Sequence, residues 1–161
     1  MTEKDYNDCV RQYADNVFRF VVKNLRHEDN ARDIVQSSFE KLWINRDLVA
    51  LPKSKSYLFT VAYHLMIDFL RRHNKVQLTD NFEQDKRAIY QPDKQLRKIL
   101  DEALQKLSDV QRSLVLLKDY EGYSYEEIGK ITSLSSSQVK VYLHRARSAM
   151  RAYLVGVHYV L

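Results

Sequence analysis

The chain has 161 residues, a formal net charge of +5 and 29% charged residues, with three Gly, two Pro and one Cys. That length allows one domain or two small ones, and so few helix breakers with little β-branched alternation predict an all-α protein. A lone Cys9 excludes a disulfide framework and a thiolate metal site, no apolar run approaches the roughly 18–20 residues that span a bilayer, and the opening Met-Thr-Glu-Lys-Asp does not read as a signal peptide, so a cytoplasmic protein is expected.

A first helix is expected over residues 5–25, with Val10, Tyr13, Val17, Val21 and Leu25 on one face. A second follows over 30–45, its stripe carried by Ala31, Ile34, Val35, Ser38 and Leu42, with Phe39 and Trp43 alongside. Residues 46–56, with Pro52 and two lysines, read as a loop. A third helix spans 57–73, with Leu58, Ala62, Leu65 and Phe69 as its buried stripe. The stretch 76–93 shows no sustained period and mixes charges of both signs, so it reads as a linker between a domain over 1–75 and another over 94–161. Helices over 93–107 and 110–120 follow, the second opened by Ser108 with Gln111.

The end of the chain is the most specific part. Ser124 with Glu127, and Ser135 with Gln138, pair a hydroxyl with a carboxylate or amide three residues on, the arrangement that satisfies a helix's first N–H groups. The helix between them has barely two turns and leads through a short connection into the last helix, which is helix-turn-helix spacing. From Ile128 onward there is no Asp or Glu, while Lys130, Lys140, Arg145, Arg147 and Arg151 supply five positive charges, equal to the whole net charge. Such confinement suits phosphate binding, the alternative being a solvated helix face.

In the last helix Val139, Leu143, Ala146 and Met150 must face the core. The opposite face then carries Ser137, Gln138, Lys140, Val141, His144 and Arg145. Gln138 is placed to pair with adenine or simply to cap the helix, and Val141 to touch a thymine methyl. Lys140, Arg145 and Arg147 suit phosphates, and Ser136 and Ser137 offer hydroxyls and N–H groups to one.

The third helix ends in a basic run with Arg71 and Arg72. Thr60, Tyr63, His64, Ile67 and Arg71 are expected on its outer face, with Lys53 and Lys55 adding to the patch. Aromatic and basic groups together suit stacked bases on a phosphate track; ordinary arginines complementing a helix dipole are the alternative. His64 has only Asp68 near it in register, more consistent with a surface hydrogen bond than a metal site. With no Gly-rich phosphate loop, His-Glu-x-x-His or Cys-x-x-Cys, neither an enzyme, a cofactor nor a small-molecule substrate is expected.

Together these residues resemble the extracytoplasmic-function (ECF) group of RNA polymerase sigma factors. The run 31–43, Ala-Arg-Asp-Ile-Val-Gln-Ser-Ser-Phe-Glu-Lys-Leu-Trp, is similar to the group's Ala-x-Asp-(Leu/Ile)-Val-Gln-x-x-Phe-x-x-(Leu/Val)-Trp helix that binds the polymerase clamp. The run 57–72 resembles its Trp-Leu-x-x-Ile-Ala-x-Asn-x-x-x-Asp-x-x-Arg-Arg helix on the −10 promoter element. Leu107-Ser-x-x-Gln-Arg112, the run 121–129 and Val139-Lys-x-x-Leu-x-Arg-Ala-Arg147 are similar to its −35-reading domain.

The resemblance implies that Asp33, Gln36 and Glu40 dock on core RNA polymerase, whose clamp and flap regions are the expected partners. It implies that the loop 47–56 captures a flipped −10 base, and that Lys53, Lys55, Thr60, Tyr63, His64, Arg71 and Arg72 hold promoter DNA there. Residues 136–147 would enter the major groove at −35, and the linker would run toward the RNA exit path. His64 stands where the group usually has Asn, Ser137-Gln138 where it has Gly-Thr, and Tyr57 where Trp is frequent. The short apolar end after Tyr153 is expected to leave control to a separate anti-sigma factor, with no membrane insertion of this chain. The alternative is a stand-alone helix-turn-helix regulator that binds DNA without polymerase.

Overall fold

A computed structural model describes residues 1–74 and 92–160, and the side chains of 1–73 and 95–157. The described residues form helices and turns only: α1 (Glu3–Leu25), α2 (Glu28–Ile44), α3 (Ser54–Asn74), α4 (Pro92–Gln105), α5 (Asp109–Val115), α6 (Tyr125–Thr132) and α7 (Ser136–Val160). Most of the expected linker lies outside the described residues, but Pro92 and Asp93 already belong to α4, where proline is tolerated in a first helical turn.

The sequence sets the helix limits through local chemistry. Thr2 accepts from the Asp5 N–H at 3.1 Å while the Asp5 carboxylate accepts from the Thr2 N–H, so α1 begins two residues earlier than its apolar stripe suggests. Arg26 ends α1 in the left-handed region at φ 56°, and His27 Nδ1 caps α2 by accepting from the Asn30 N–H. The loop before α3 is shorter than expected. Leu51–Lys53 makes a 3-10 turn, Ser54 Oγ donates to the Leu51 carbonyl at 2.7 Å, and α3 starts at Ser54.

The N-terminal half packs α1, α2 and α3 around Val17, Phe20, Val21, Ala31, Leu42, Leu58, Phe59, Ala62 and Met66. Cys9 is buried beside Ser54 Oγ at 3.3 Å, a small packing residue. In the C-terminal half α5, α6 and α7 enclose Leu114, Leu116, Leu117, Ile128, Ile131, Val139, Leu143 and Ala146. The expected single helix over 110–120 is instead α5 followed by a π-helical turn over Leu116–Tyr120. One widened turn lets the Glu121 and Tyr123 N–H groups reach the Leu116 and Leu117 carbonyls, and it aims Asp119 at α7.

The two halves share one continuous core. The end of α1 meets α5 through a buried polar knot. Arg112, only 5% exposed, donates from Nε to the Leu104 carbonyl at 3.2 Å, from Nη2 to Leu107 at 3.1 Å, and from Nη1 to Asn24 at 3.3 Å. Its other contact is the Asp109 carboxylate at 3.1 Å. Burial pulls the guanidinium below its ordinary pKa while Asp109 opposes the shift. Asn24 Oδ1 accepts from Ser113 Oγ at 3.2 Å, and Gln105 donates to the Lys23 carbonyl at 2.9 Å.

Candidate nucleic-acid interface

The helix-turn-helix is built as its capping residues dictate. Ser124 Oγ accepts from the Glu127 N–H at 3.1 Å, and the Glu127 carboxylate accepts from the Ser124 N–H at 2.8 Å. Ser135 and Gln138 repeat this at 3.1 and 2.9 Å. Between the helices Ser133 turns left-handed at φ 62°, and the Leu134 N–H returns to the Gly129 carbonyl at 3.1 Å. Gly129 permits the turn: a Cβ there would lie 2.7 Å from the Leu134 carbonyl oxygen.

On α7 the inward residues Val139, Leu143 and Ala146 are fully buried, with Met150 half-buried. Ser136, Ser137, Gln138, Lys140, Val141, His144 and Arg145 are all exposed. Gln138 Oε1 is occupied by its cap, although the residue is exposed. Arg147 differs from the rest. It is half-buried and donates to both Asp119 oxygens, at 2.6 Å from Nη2 and 3.3 Å from Nε, and that bond raises its pKa. It braces α7 against the π-helical turn, so any phosphate would compete with Asp119 for it.

One basic side chain on this surface escapes the sequence. Lys118 Nζ lies 4.7 Å from the centre of the Tyr125 ring and Lys140 Nζ 5.6 Å from it, so the ring joins the two ammonium groups. Nothing in the spacing of 118, 125 and 140 reveals this, and Lys118 sits within the π-helical turn.

The −10 candidates divide. His64, Lys53, Arg71 and Arg72 are exposed, and Lys55 and Thr60 are half-buried. His64 Nδ1 sits 2.7 Å from the Thr60 carbonyl and its ring 5.3 Å from that of Tyr63. Tyr63 itself is 5% exposed and its hydroxyl is pushed up by burial, so it does not stand on the outer face as expected. The reason is that α3 is covered on two sides. Leu58 and Ala62 are fully buried, the Phe59 ring lies between the halves at 5.5 Å from Phe20 and 5.4 Å from Tyr123, and Leu65 and Phe69 are left half-buried.

Next to it Ile44 at the end of α2 and Leu48 and Leu51 in the connection to α3 are exposed at 74%, 85% and 46%, large apolar side chains that water alone does not favour. Arg46 stacks on Trp43 with its guanidinium 3.9 Å from the ring centre. On α2, Asp33, Gln36 and Glu40 are exposed along one line, and Gln36 Nε2 donates to Glu40 at 3.2 Å. Among the described residues no three His, Cys, Asp or Glu side chains gather as a metal site, and no helix is long and apolar enough to cross a membrane.

Comparison with known proteins agrees with this geometry on both halves. The family model for sigma-70 region 2 matches residues 9–76, and that for sigma-70 region 4 matches residues 97–150. The chain is 29% identical over 153 residues to the RNA polymerase sigma factor YlaC of Bacillus subtilis, covering 89% of this chain and 88% of that one. It is 27% identical over 158 residues to the ECF RNA polymerase sigma factor SigM of the same organism, covering 94% and 97%. Its fold matches that of the sigma factor RpoE in complex with the anti-sigma factor NepR from Bartonella quintana, with a TM-score of 0.76 and 21% identity over 94% of this chain and 97% of that one.

Proposed function

The chain belongs to the sigma-70 family as an ECF sigma factor directing promoter-specific transcription initiation, and from that premise we propose how its surfaces divide the work. The exposed α2 line Asp33, Gln36 and Glu40 docks on core RNA polymerase. The α3 face with Lys53, Lys55, Thr60, His64, Arg71 and Arg72 holds the −10 strand, and the apolar turn beside it, with Leu48 and Leu51, receives an unstacked base. The exposed face of α7, Ser136 to Arg145, enters the major groove at −35, with Gln138 and Val141 nearest base edges and Lys140, Arg145 and Lys118 on phosphates. Residues 1–75 and 94–161 are the two functional units. The chain works in the cytoplasm and catalyses no reaction itself; the energy of strand opening comes from trapping unstacked bases and releasing counterions. A separate anti-sigma factor controls it, as one binds the structurally similar RpoE.

The observation that carries this reading is the acid-free exposed face of α7, fixed by two capping boxes and a glycine turn, on the same chain as the exposed acidic line of α2. A stand-alone regulator has no use for the second feature. Reconstitution with core RNA polymerase and a promoter library tests it. The expected result is initiation at a shared −35/−10 sequence that depends on Asp33 and Gln36. DNA binding that ignores core polymerase would favour the stand-alone regulator.

A further inference from the structure

A cavity of about 650 Å³ lies where the connection between α2 and α3 faces α6, a size usual for small-molecule sites. Its walls are of two kinds. Leu48, Val49 and Tyr57 from one half and Ile131 from the other give it an apolar lining, and Leu48 is left largely exposed. The uncharged polar groups on the wall are mostly engaged within the protein. Asn45 Nδ2 donates to the Lys41 carbonyl at 3.0 Å and to the Tyr57 hydroxyl at 2.9 Å, and Thr60 Oγ1 donates to the Ser56 carbonyl at 2.7 Å. What remains for a ligand is charge. Lys53 is exposed and makes no ion pair among the described residues. Lys130 has a 3.7 Å pair with Glu126 in which both side chains are largely exposed, so that pair is weak. The one acid on the wall, Glu127, has an oxygen held by the Ser124 N–H at 2.8 Å. Two lysines against one carboxylate leave the cavity one positive charge.

We propose that this cavity is a regulatory site for an amphipathic monoanion, a medium-chain carboxylate whose head is held by Lys53 and Lys130 and whose tail lies along Leu48, Val49, Tyr57 and Ile131. A hydrocarbon tail suits these walls because it asks for no hydrogen bond and covers Leu48 from water. A nucleotide suits them poorly, since it brings a second charge and polar edges to a wall whose amide and Thr60 hydroxyl are engaged. The ligand acts as an effector, not as a substrate. Lys53, Thr60 and Leu48 are also groups assigned to the −10 strand, so the bound carboxylate and the strand exclude each other. That consequence, unlike the site itself, rests on the −10 reading of α3.

Decanoate titrated into the full-length chain, followed by calorimetry and by the methyl NMR signals of Leu48, Val49 and Ile131, tests the site. One decanoate should bind per chain, with shifts concentrated on those residues. Acetate, which lacks the tail, decyltrimethylammonium, which reverses the head, and adenosine monophosphate should not bind at the same concentrations. Lys130→Glu lies on the exposed side of α6, outside the surfaces assigned to DNA and polymerase. It should weaken decanoate about three- to tenfold and leave the unfolding midpoint in place, as expected for an exposed charge. Absent or unsaturable decanoate binding overturns the site. So does equal binding of decyltrimethylammonium, or shifts spread to core methyls such as Leu117 and Leu143, because either means detergent-like uptake. Adenosine monophosphate bound in place of decanoate overturns the ligand class. In the wild type, apparent affinity for a labelled random-sequence single-stranded oligonucleotide should fall as decanoate fills the site, and Lys130→Glu should need more decanoate for the same fall. Decanoate binding that leaves oligonucleotide affinity unchanged overturns the exclusion, and with it the −10 reading of Lys53, while the site itself stands.

Discussion

At Gly129 a single hydrogen atom decides whether the helix-turn-helix can form. The Leu134 carbonyl approaches so closely that a methyl group would displace backbone, not a flexible side chain. Gly129→Ala should therefore destabilise the C-terminal half by about 1–3 kcal/mol in urea unfolding, although alanine is the better helix former. An unchanged midpoint would mean the turn relaxes freely. Arg112 makes the opposite kind of demand. Its guanidinium serves three carbonyls and Asp109 at once, so Arg112→Ala should cost at least about 3 kcal/mol, and Arg112→Lys should recover little of it because an ammonium cannot reach all three. The sequence places Arg112 in a resembling motif but gives no sign that it binds the end of α1, since Asn24 lies 88 positions away. Gln138 is legible only in part. Its cap follows directly from Ser135 three residues earlier, whereas base reading requires Oε1 to leave that cap. If it reads a base, Gln138→Ala should lose about 1–3 kcal/mol at the preferred −35 site and little elsewhere, while Arg145→Ala weakens all sequences alike. Uniform loss from both variants would leave Gln138 as a cap alone.

Among the elements, α2 and α7 were open to sequence reading and α3 only in part, with Leu58 and Ala62 buried as its stripe predicts. An amphipathic helix with one partner shows one stripe, and Ala31, Ile34, Ser38 and Leu42 on α2, like Val139, Leu143 and Ala146 on α7, are buried where 3.6-residue periodicity puts them. Helix α3 has partners on two sides, so its buried arc widens to take in Phe59, Tyr63 and Met66, and Tyr63 leaves the face on which periodicity places it. The π-helical turn after α5 also escapes pattern, since no proline or glycine marks its start at Leu116. The exposed line of α2 yields a clean test. Asp33→Ala/Gln36→Ala should lower affinity for core polymerase while leaving the unfolding midpoint nearly unchanged, because exposed substitutions shift stability within about 0.5 kcal/mol. Undiminished core affinity would remove α2 from the polymerase contact.

For the molecule as a whole, the pairing of the halves is the feature that helix periodicity cannot supply, since it joins Arg19 to Glu121 and Phe59 to Tyr123, residues far apart in the sequence. It also makes stability depend on alkaline pH in a way that can be traced to named hydroxyls. Burial pushes the Tyr63 and Tyr123 phenols above their ordinary value, most strongly Tyr123, where Glu121 adds to the shift. A group whose folded pKa is raised holds its proton better in the folded state. Its contribution is complete below the unfolded value of about 10 and is lost as pH climbs from there toward the folded value. The urea midpoint of the wild type should accordingly fall as pH rises above about 10, where unfolded tyrosines ionise and buried ones resist. Lysines and the other tyrosines titrate in the same window, so the informative quantity is the difference between proteins. Tyr123→Phe removes one resisting group and should fall less steeply above pH 10, while lying above the wild type near neutrality because it buries no orphaned hydroxyl. Parallel curves for the two proteins would show that Tyr123 is solvated in solution, against its burial beside Phe59.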